Sequence, residues 1–347
     1  MKRVLVAMSG GVDSCATAYL TISQGYDCIG ATMRLHAGGC TTERDIADAA
    51  YACDVLGIPH HVVELTSEFD RYVIKNFIEA YENGSTPNPC IECNLHLKFD
   101  KLMEFAFEKG YDYIATGHYA RVEYDEKYGR CVLKKALDLS KDQSYVLWRL
   151  SKEKLERVLF PLGTVESKTQ TREIAEKIGL DISRKKESQD ICFVPNGDYA
   201  KFIEEYTGKV YPPGDFIRFD GKYLGKHKGI IRYTIGQRKG LGLALDRSMY
   251  VVEKDLENNR VIIGDTEHLM KSELWATELC LSAVDTIDAP VKVTAKIRYN
   301  QKETPATATI ENGLLHVVFD EPQRAICKGQ SVVLYDGDVV LGGGIII

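Results

Sequence analysis

Strands and helices alternate along the first third of the chain, and this alternation constrains the fold most. Short apolar runs at 2–8, 27–33, 60–65 and 112–116 are typical of buried strands. Helical segments are predicted at 14–24, 43–56, 67–82 and 94–109. Strands that alternate with helices form a parallel sheet covered on both faces. The sequence therefore predicts a doubly wound α/β domain, whose ligands bind at the carboxyl ends of the strands.

The pattern changes after about residue 200, where the chain becomes rich in glycine and proline. Pro212 to Gly214 break the chain, and six glycines between 221 and 242 exclude a long helix. Farther on, short runs rich in β-branched residues are spaced like antiparallel strands. We expect the α/β domain over residues 1–200, a small basic central domain over 201–272 and a C-terminal antiparallel β-barrel over 273–347.

Composition places the chain among ordinary globular proteins. Hydrophobic residues make up 44% and charged residues 27% of its 347 residues. The longest uncharged stretch near the N-terminus, Ser14 to Tyr26, is shorter than the about 20 apolar residues of a membrane span. The opening segment has too short an apolar core for a secretory signal. We therefore expect a cytosolic protein with no membrane partner, whose ten cysteines are mostly reduced.

A basic segment interrupts a chain that is acidic overall. The net charge is −6, yet residues 209–240 hold eight Lys and Arg against two Asp, a net of +6. This basic segment is typical of a contact with a polyanion, and it is equally typical of a solvated loop face. On charge alone both interpretations stay open.

A glycine loop, residues 9–14, follows the first strand. Ser9, Gly10 and Gly11 lead into a helix near Asp13 and Ser14. Glycines allow a phosphate to approach the backbone closely, and N–H groups at a helix start attract negative charge. The loop has neither the Gly-Lys-Ser/Thr of a Walker A motif nor the G-x-G-x-x-G of a dinucleotide fold. A turn that only joins strand to helix is the alternative, but the complete SGGVDS string favours a phosphate site.

The SGGVDS string resembles the PP-loop of the ATP pyrophosphatases, whose fold is similar to that of the adenine nucleotide alpha hydrolases. That superfamily cleaves ATP between the α and β phosphates, leaves AMP on an acceptor oxygen and releases pyrophosphate. The resemblance implies that this chain uses ATP with Mg2+ and that the backbone of Met33 contacts adenine, although core packing is the alternative for Met33. The residues implied in ATP binding are Ala7, Met8, Ser9, Gly10, Gly11, Val12, Asp13, Ser14, Met33 and Gly117.

Cysteines in two distant segments are the second informative feature. Pro87 and Pro89 hold the chain extended around Cys90 and Cys93, and a helix follows. Cys93 is then expected near a helix N-terminus, where the dipole favours thiolate over thiol. Cys192 lies far along the chain, beside polar residues. The other cysteines, at 15, 28, 40, 53, 131, 280 and 327, are interpreted as core or surface thiols.

Six ordered motifs together resemble the tRNA-specific 2-thiouridylases, bacterial enzymes that place sulfur on the wobble uridine of tRNA. The motifs are SGGVDS at 9–14, TPNPxxxCN at 86–94, ATGHYA at 115–120, KDQSY at 141–145, SQDICF at 188–193 and YTIGQRKGLG at 233–242. The resemblance implies that AMP is transferred to the oxygen on C2 of uracil, and that a persulfide sulfur then attacks C2. It implies that Cys192 carries the persulfide and that Cys93 attacks or resolves it, leaving a Cys93–Cys192 disulfide to be reduced.

One position departs from the family pattern. Many members have an acid where this chain has Cys90, and that acid is thought to help proton transfer at the target base. Cys90 puts such a relay in doubt and creates a Cys-x-x-Cys pair with Cys93. Related sulfurtransferases bind a 4Fe-4S cluster on such a pair and a distant third cysteine, with one iron open to sulfide. A 4Fe-4S cluster on Cys90, Cys93 and Cys192 is therefore an alternative route to the same thiolation.

The resemblance also implies which residues face the RNA. A base in a folded tRNA loop must be extruded before chemistry on its edge, and here it would lie against Asn88, Pro89 and Cys90. The other residues implied in tRNA contact are His118, Lys141, Asp142, Gln143, Arg298, Tyr299 and Gln330. The basic segment is expected to clamp the anticodon stem and loop. A sulfur donor, either a cysteine desulfurase or a relay protein, is expected as a further partner.

Two other functions fit parts of the sequence. A PP-loop synthetase that forms an amide through an adenylated carboxylate would not need paired distant cysteines or a β-rich tail. A non-catalytic RNA-binding module would not need an intact glycine loop. The sequence favours sulfur transfer over both.

Overall fold

The computed structural model describes residues 1–36, 41–165, 171, 173–174, 191–245 and 247–347. The strands of its first sheet are β1 (Arg3–Ala7), β2 (Asp27–Arg34), β3 (His60–Glu64), β4 (Tyr113–Ala115) and β7 (Val158–Leu159). They pair in parallel in the order β3-β2-β1-β4-β7. The four predicted strands and their parallel arrangement are confirmed, and β7 extends the sheet by one short strand.

Successive residues of β1 face opposite sides of this sheet. Val4 and Val6 pack with small side chains of α1 (Val12–Ser23) and α2 (Glu43–Val55) on one face. Leu5 belongs to the core on the other face, which is built mainly from later helices. Because strand side chains alternate between faces, a sheet in which β1 has apolar residues from Val4 to Ala7 must be covered on both sides. The predicted doubly wound fold is confirmed.

Two helical stretches cover the second face, and each contains a π-helical part. The first runs through Thr66–Phe69, the π-helical Asp70–Ile74 and Lys75–Glu82; the second runs through Pro89–Glu92, the π-helical Cys93–Lys101 and Leu102–Glu108. Elsewhere in the described ranges, helices span Lys152–Leu155 and Tyr199–Thr207, and short 3-10 turns lie at Ser144–Leu147, Pro161–Thr164, Pro195–Gly197, Ile230–Arg232 and Thr266–Leu269. Within the described ranges, no helix is long and apolar enough to cross a bilayer.

A hairpin that was not predicted ties the first domain to the C-terminal strands. It consists of β5 (Ala120–Asp125) and β6 (Arg130–Lys135), and Lys134 of β6 pairs with Val339 of a C-terminal strand. Arg130 holds the Asp285 carboxylate through two hydrogen bonds of 2.9 and 3.0 Å. These contacts hold the hairpin against C-terminal residues that lie far away in the sequence.

The central region forms a small four-stranded sheet. Its strands are β8 (Gly214–Arg218), β9 (Tyr223–His227), β10 (Tyr250–Asp255) and β11 (Arg260–Gly264), in the order β10-β11-β8-β9. Strands β8 and β11 are parallel, whereas the other pairs are antiparallel. Phe216, Val251 and Val261 are buried in its core. As predicted, the glycine-rich stretch contains only short strands and turns among its described residues.

The C-terminal region is a closed antiparallel barrel, as predicted. Its strands are β12 (Met270–Leu281), β13 (Val291–Lys296), β14 (Thr304–Glu311), β15 (Leu314–Arg324), β16 (Ser331–Asp336) and β17 (Val339–Ile346). They pair in the order β12-β15-β14-β13-β16-β17, and β12 also pairs with β17, which closes the barrel. A Cβ on Gly342 would lie 2.2 Å from the Cys280 carbonyl oxygen, and one on Gly343 would lie 2.3 Å from that of Val332. The glycines therefore permit the close approach of strands that closure requires.

Candidate functional site: a glycine loop beside three thiols

The glycine loop connects the buried strand β1 to helix α1. Gly10 has φ +69°, and a Cβ there would lie 2.5 Å from the backbone oxygen of Asp45. Gly11 is the N-cap of α1, and no side chain of the described residues caps this helix start. Ser14 Oγ accepts the Ser9 N–H at 3.2 Å and donates to the Gly11 carbonyl at 2.8 Å. The loop thus leaves backbone donors of the first helical turn available to an anion.

The ATGHYA motif, residues 115–120, packs against this loop. The Tyr119 hydroxyl donates to Asp13 Oδ1 at 2.9 Å. A Cβ on Gly117 would lie 3.1 Å from the backbone carbonyl carbon of Asp13, so glycine allows the close approach. Met33 is half-buried at the end of β2 and packs against the core, as its alternative interpretation held. The residues predicted for ATP binding therefore gather at the carboxyl ends of β1, β2 and β4.

The two neighbouring thiols lie on a stretch that we call the thiol segment, residues 86–101. Asn88 is the N-cap of the helix that begins in this segment, and Asn88 Oδ1 accepts the Cys90 N–H at 3.2 Å. Pro89 occupies the first helical position. The helix therefore begins at Pro89, five residues before the predicted start. Cys90 is exposed and Cys93 is half-buried.

The barrel holds the start of the thiol segment in place. The Gln330 side-chain amide donates to the Thr86 carbonyl at 2.7 Å. The Thr86 N–H donates to the Lys328 carbonyl at 2.8 Å. A Cβ on Gly329 would lie 2.9 Å from Ser85 Cβ, so the two turns are in close contact. The C-terminal region thereby fixes the position of the predicted base-contacting residues.

Cys192 lies near the other two thiols. It is exposed, and the next residue, Phe193, packs edge-on against Phe69 and Phe77 with ring centroids 5.7 and 5.2 Å apart. Cys192 interacts electrostatically with Cys90 and with Cys93, and it raises the pKa of both thiols. Residues 188–190 of the SQDICF motif lie outside the described residues. The structure thus brings together three thiols that are up to 102 positions apart in the sequence.

The expected thiolate at Cys93 is wrong for this arrangement. Burial raises the pKa of the Cys93 thiol to about 12, although the Lys98 ammonium acts in the opposite direction. Burial also raises the pKa of the Cys90 thiol, again against the Lys98 ammonium. Cys93 follows a complete turn, Pro89–Glu92, so it lies past the uncapped N–H groups that make a helix start positive. Desolvation therefore dominates over the helix dipole.

Lys98 connects the thiols to the ATGHYA motif. Its Nζ lies 3.4 Å from His118 Nε2, and Thr116 Oγ1 lies 2.7 Å from His118 Nδ1. Burial, assisted by Lys98, lowers the pKa of His118 well below its usual value, so the imidazole is neutral. The sequence interpretation missed Lys98. Lys98 follows Cys93 by five residues, and that spacing brings two side chains to one face only in a π-helix. The sequence pattern therefore did not indicate that Lys98 lies near the thiols.

Several residues predicted to contact tRNA make internal hydrogen bonds. The Ala136 and Ser144 N–H groups donate to Asp142 Oδ1, and Gln143 Oε1 accepts the Tyr119 N–H at 3.0 Å. Arg298 donates to the carbonyls of Ala325 at 2.5 Å and Ile235 at 3.4 Å, which joins the barrel to the central YTIGQRKGLG motif. Tyr299 lies close enough to Cys90 for the two to interact electrostatically, and Lys141 is partly exposed on a loop. These contacts give each residue a positioning role, and their contact with RNA stays a prediction.

Half of the cations in the basic segment are paired. Lys209 lies 2.7 Å from Glu82, Lys226 lies 2.6 Å from Asp215, and Arg232 lies 2.6 Å from Glu204. Arg218 pairs with Asp220. Residues outside the segment supply two of these acids, so its local charge is lower than the sequence count of +6. The exposed cations of the segment that appear in no such carboxylate pair are Lys222, Lys228, Arg238 and Lys239.

The three thiols do not form a ready metal site. Within the described parts of the chain, no group of three His, Cys, Asp or Glu side chains is arranged to hold a metal ion. Because each cysteine of a 4Fe-4S cluster binds a different iron, this finding on single ions leaves a cluster on Cys90, Cys93 and Cys192 as a prediction.

Comparisons with known proteins cover the whole chain. Family models match at residues 2–196 (tRNA methyl transferase HUP domain), 200–265 (tRNA methyl transferase PRC-barrel domain) and 271–346 (aminomethyltransferase beta-barrel domain). A solved 4-thiouridine synthetase in complex with RNA and ATP aligns with TM-score 0.37 and 18% identity, covering 59% of this chain and 50% of that chain.

Two relatives with nearly full coverage identify the family. The tRNA-specific 2-thiouridylase MnmA of Clostridioides difficile is 47% identical over 354 residues, which span 99% of this chain and 98% of that protein. The tRNA-specific 2-thiouridylase MnmA 1 of Caldanaerobacter subterraneus is 50% identical over 356 residues, spanning 99% and 98%. These matches set aside both the amide-forming synthetase and the non-catalytic module. The chain belongs to the tRNA-specific 2-thiouridylase family, a family of PP-loop tRNA sulfurtransferases.

Proposed function

We propose that this chain thiolates C2 of the wobble uridine of tRNA, with ATP as activator and Cys192 as persulfide carrier. One observation carries the proposal: consecutive residues of the ATGHYA motif touch both halves of the site. Gly117 and Tyr119 contact Asp13 of the glycine loop, while His118 contacts Lys98 of the thiol segment. A nucleotide held at the loop and a base held at the thiols would therefore be neighbours.

The first step is adenylation of the base. The oxygen on C2 of uracil attacks the α phosphorus, the bond to the β-phosphate oxygen breaks, and pyrophosphate leaves. The uncapped N–H groups after Gly11 bind the phosphates, and the Asp13 carboxylate offers an oxygen ligand to a Mg2+ that enters with the triphosphate. Adenylation is needed because C2 otherwise has only a poor leaving group; the AMP ester supplies a good one.

The second step is sulfur transfer. The outer sulfur of a Cys192 persulfide attacks C2, the bond from C2 to oxygen breaks, and AMP leaves. Cys93 then gives up its thiol proton and its sulfur attacks the inner sulfur of Cys192, while the electron pair of the broken S–S bond completes the C2=S group. The products are 2-thiouridine and a Cys93–Cys192 disulfide, which an external dithiol reduces. A cysteine desulfurase or a relay protein supplies the persulfide sulfur.

The RNA is bound by surfaces from all three proposed domains, 1–200, 201–272 and 273–347. The N-terminal turn at Asn88 to Cys90 receives the extruded base. Tyr299 reaches the same place from the barrel, while Lys141 lies on an exposed loop. The exposed Arg238 and Lys239 contact phosphates of the anticodon stem and loop. The internal bonds of Asp142, Gln143, Arg298 and Gln330 hold these surfaces in register.

Pyrophosphate release and thiolation test the proposal together. Release by the wild type should require an unmodified tRNA, since the base is the acceptor of AMP. Cys192→Ser should abolish thiolation and leave tRNA-dependent pyrophosphate release measurable. Cys131→Ser, on the β5–β6 hairpin, is the matched control and should retain both activities. Release without tRNA, or thiolation by Cys192→Ser, would contradict the proposal.

A further inference from the structure

Lys98 is a cation without a carboxylate partner among the described residues. Its Nζ lies 3.4 Å from His118 Nε2, and no ion pair joins it to an acid in the described part of the chain. Lys101, on the same helix, is paired with Glu104 at 2.7 Å. A lysine that approaches a neutral imidazole keeps its full positive charge, whereas a carboxylate would neutralise that charge. Lys98 is therefore available to act on another negative group.

The π-helix turns Lys98 toward the thiols. In an α-helix, residue i+5 lies about 140° around the axis from residue i, because each turn takes 3.6 residues. In a π-helix the hydrogen bonds join residues i and i+5, which brings these residues to the same face of the helix, much as residues i and i+4 share a face in an α-helix. Cys93 and Lys98 are the first and sixth residues of the π-helical Cys93–Lys101. The uncommon helix type thus places the ammonium on the side of the sulfur.

His118 fixes the ammonium without competing for its charge. Lys98 can only donate, so His118 Nε2 accepts and Nδ1 carries the ring proton. That Nδ1–H then donates to Thr116 Oγ1 at 2.7 Å. His118 is buried at the end of β4 and packs against Phe99 and Phe160, with centroids 5.9 Å away in each case. The imidazole is therefore a rigid acceptor that holds Lys98 in one direction.

We propose that Lys98 is a positioning residue whose ammonium, held by His118, lies opposite the negative charge that Cys93 and Cys90 carry when they react. The inference deepens the proposed function and depends on it for the reaction that the thiols perform. Burial raises the pKa of both thiols even with the ammonium present, and without Lys98 the pKa values would be higher still. The ammonium therefore lowers the cost of forming the sulfur anion when a buried thiol reacts.

Other charged groups around the thiols do not take this role. Glu92, which precedes Cys93, is held by Arg149 at 2.8 Å and faces His96 at 3.4 Å. Tyr299 interacts with Cys90 from the barrel and is neutral, because burial raises its pKa. Cys192 adds a third sulfur, whose negative charge would oppose ionisation of the other two. Lys98 is thus the cation common to Cys90, Cys93 and His118 in the described part of the site.

Alkylation of individual cysteines tests the inference directly. The full chain is treated with iodoacetamide across a pH series, and the rates at Cys93 and Cys90 are read by mass spectrometry. Because burial raises the pKa of Cys93 to about 12, the rates are compared at pH values well below it. At each such pH, Lys98→Met should lower the alkylation rate of at least one of these thiols by about tenfold. Lys98→Arg should keep the wild-type profile to within about twofold, since it restores the charge. Lys101→Met is the control on the same helix and should change neither profile.

The outcomes separate this inference from the proposed function. Unchanged profiles in Lys98→Met would overturn the role of Lys98, whether or not the wild type thiolates tRNA. A shifted profile combined with a wild type that does not thiolate tRNA would overturn the proposed function and leave the role of Lys98 standing. Should Lys98→Met lose cooperative unfolding, His118→Leu gives the second test. Freed from its acceptor, Lys98 should act less strongly, and the alkylation rate of Cys93 at a given pH should again fall; an unchanged rate would count against the inference.

Discussion

The glycine loop is built from residues close together in sequence, whereas the thiol segment is held by residues from every part of the chain. Strand β1, two glycines and helix α1 define the loop within about 20 residues. The thiol segment needs Gln330 from the barrel, Arg149 next to Glu92, and His118 beside Lys98. A local site tolerates changes elsewhere, while an assembled site depends on remote contacts. Variants in each of the two regions test this difference.

A methyl group on Gly10 should disable the loop. Gly10→Ala places a Cβ 2.5 Å from the Asp45 carbonyl oxygen at φ +69°, so the loop must shift away from α2. We expect a loss of at least about 100-fold in tRNA-dependent pyrophosphate release, because the phosphate donors are misplaced. Gly25→Ala is the matched control: φ is +85° there, yet nothing lies within 4 Å of the added Cβ. Equal losses in both variants would show that backbone strain, and not loop geometry, is responsible.

Removal of the barrel contact should affect the thiol segment alone. Gln330→Leu deletes the donor to the Thr86 carbonyl, and we expect thiolation to fall about tenfold while the KM for ATP stays the same. Gln301→Ala, which breaks a side-chain bond to Gln323 inside the barrel, is the control. Steady-state kinetics with varied ATP and varied tRNA separate the two effects. A change in the KM for ATP alone would contradict remote support of the thiols.

Charge reversal at the exposed part of the basic segment should weaken RNA binding. Arg238→Glu with Lys239→Glu should raise the Kd for tRNA and reduce the slope of log K against log salt by about two. Reversal of Lys209 and Lys226, which already face Glu82 and Asp215, should have a smaller effect. Binding measured at several salt concentrations decides between them. Identical slopes in wild type and Arg238/Lys239 variant would refute the clamp.

A buried lysine away from the site should shape the pH dependence of stability. Lys254 Nζ has no hydrogen-bond partner in the described structure, and burial lowers its pKa to about 8. Because the unfolded value is 10.5, the folded protein binds fewer protons in this window, and the free energy of unfolding rises from about pH 8 to pH 10.5.

Lys254→Met should remove that rise and stabilise the protein at neutral pH by about 1 kcal/mol, a value reduced because the residue as a whole is partly exposed. Urea unfolding at several pH values measures both effects. The exposed Lys222→Met serves as the control and should retain the wild-type pH dependence. A Lys254→Met protein whose stability still rises in this window would contradict the assignment.

The same contrast decides what the sequence could predict. Four strands, their parallel arrangement and the glycine loop follow from local patterns, because apolar runs and glycines act within a few residues. The catalytic role of Cys93 stays a prediction, and its ionisation was wrongly predicted, since burial depends on residues far away in sequence. Lys98 was missed because its alignment with Cys93 requires a π-helix, which the sequence pattern does not reveal. The β5–β6 hairpin was missed because its strands are rich in charged residues such as Arg121 and Glu123 and become ordered against the barrel.

The central claim, that ATP activation and sulfur transfer converge on one base, is tested most directly by a single turnover. Persulfide-loaded protein is mixed with ATP and excess unmodified tRNA without reductant, and 2-thiouridine and disulfides are counted by mass spectrometry. The account predicts one Cys93–Cys192 disulfide for each 2-thiouridine formed, and none when ATP is omitted. Repeated formation of 2-thiouridine with both thiols still reduced, or equal thiolation by Cys93→Ser, would contradict it.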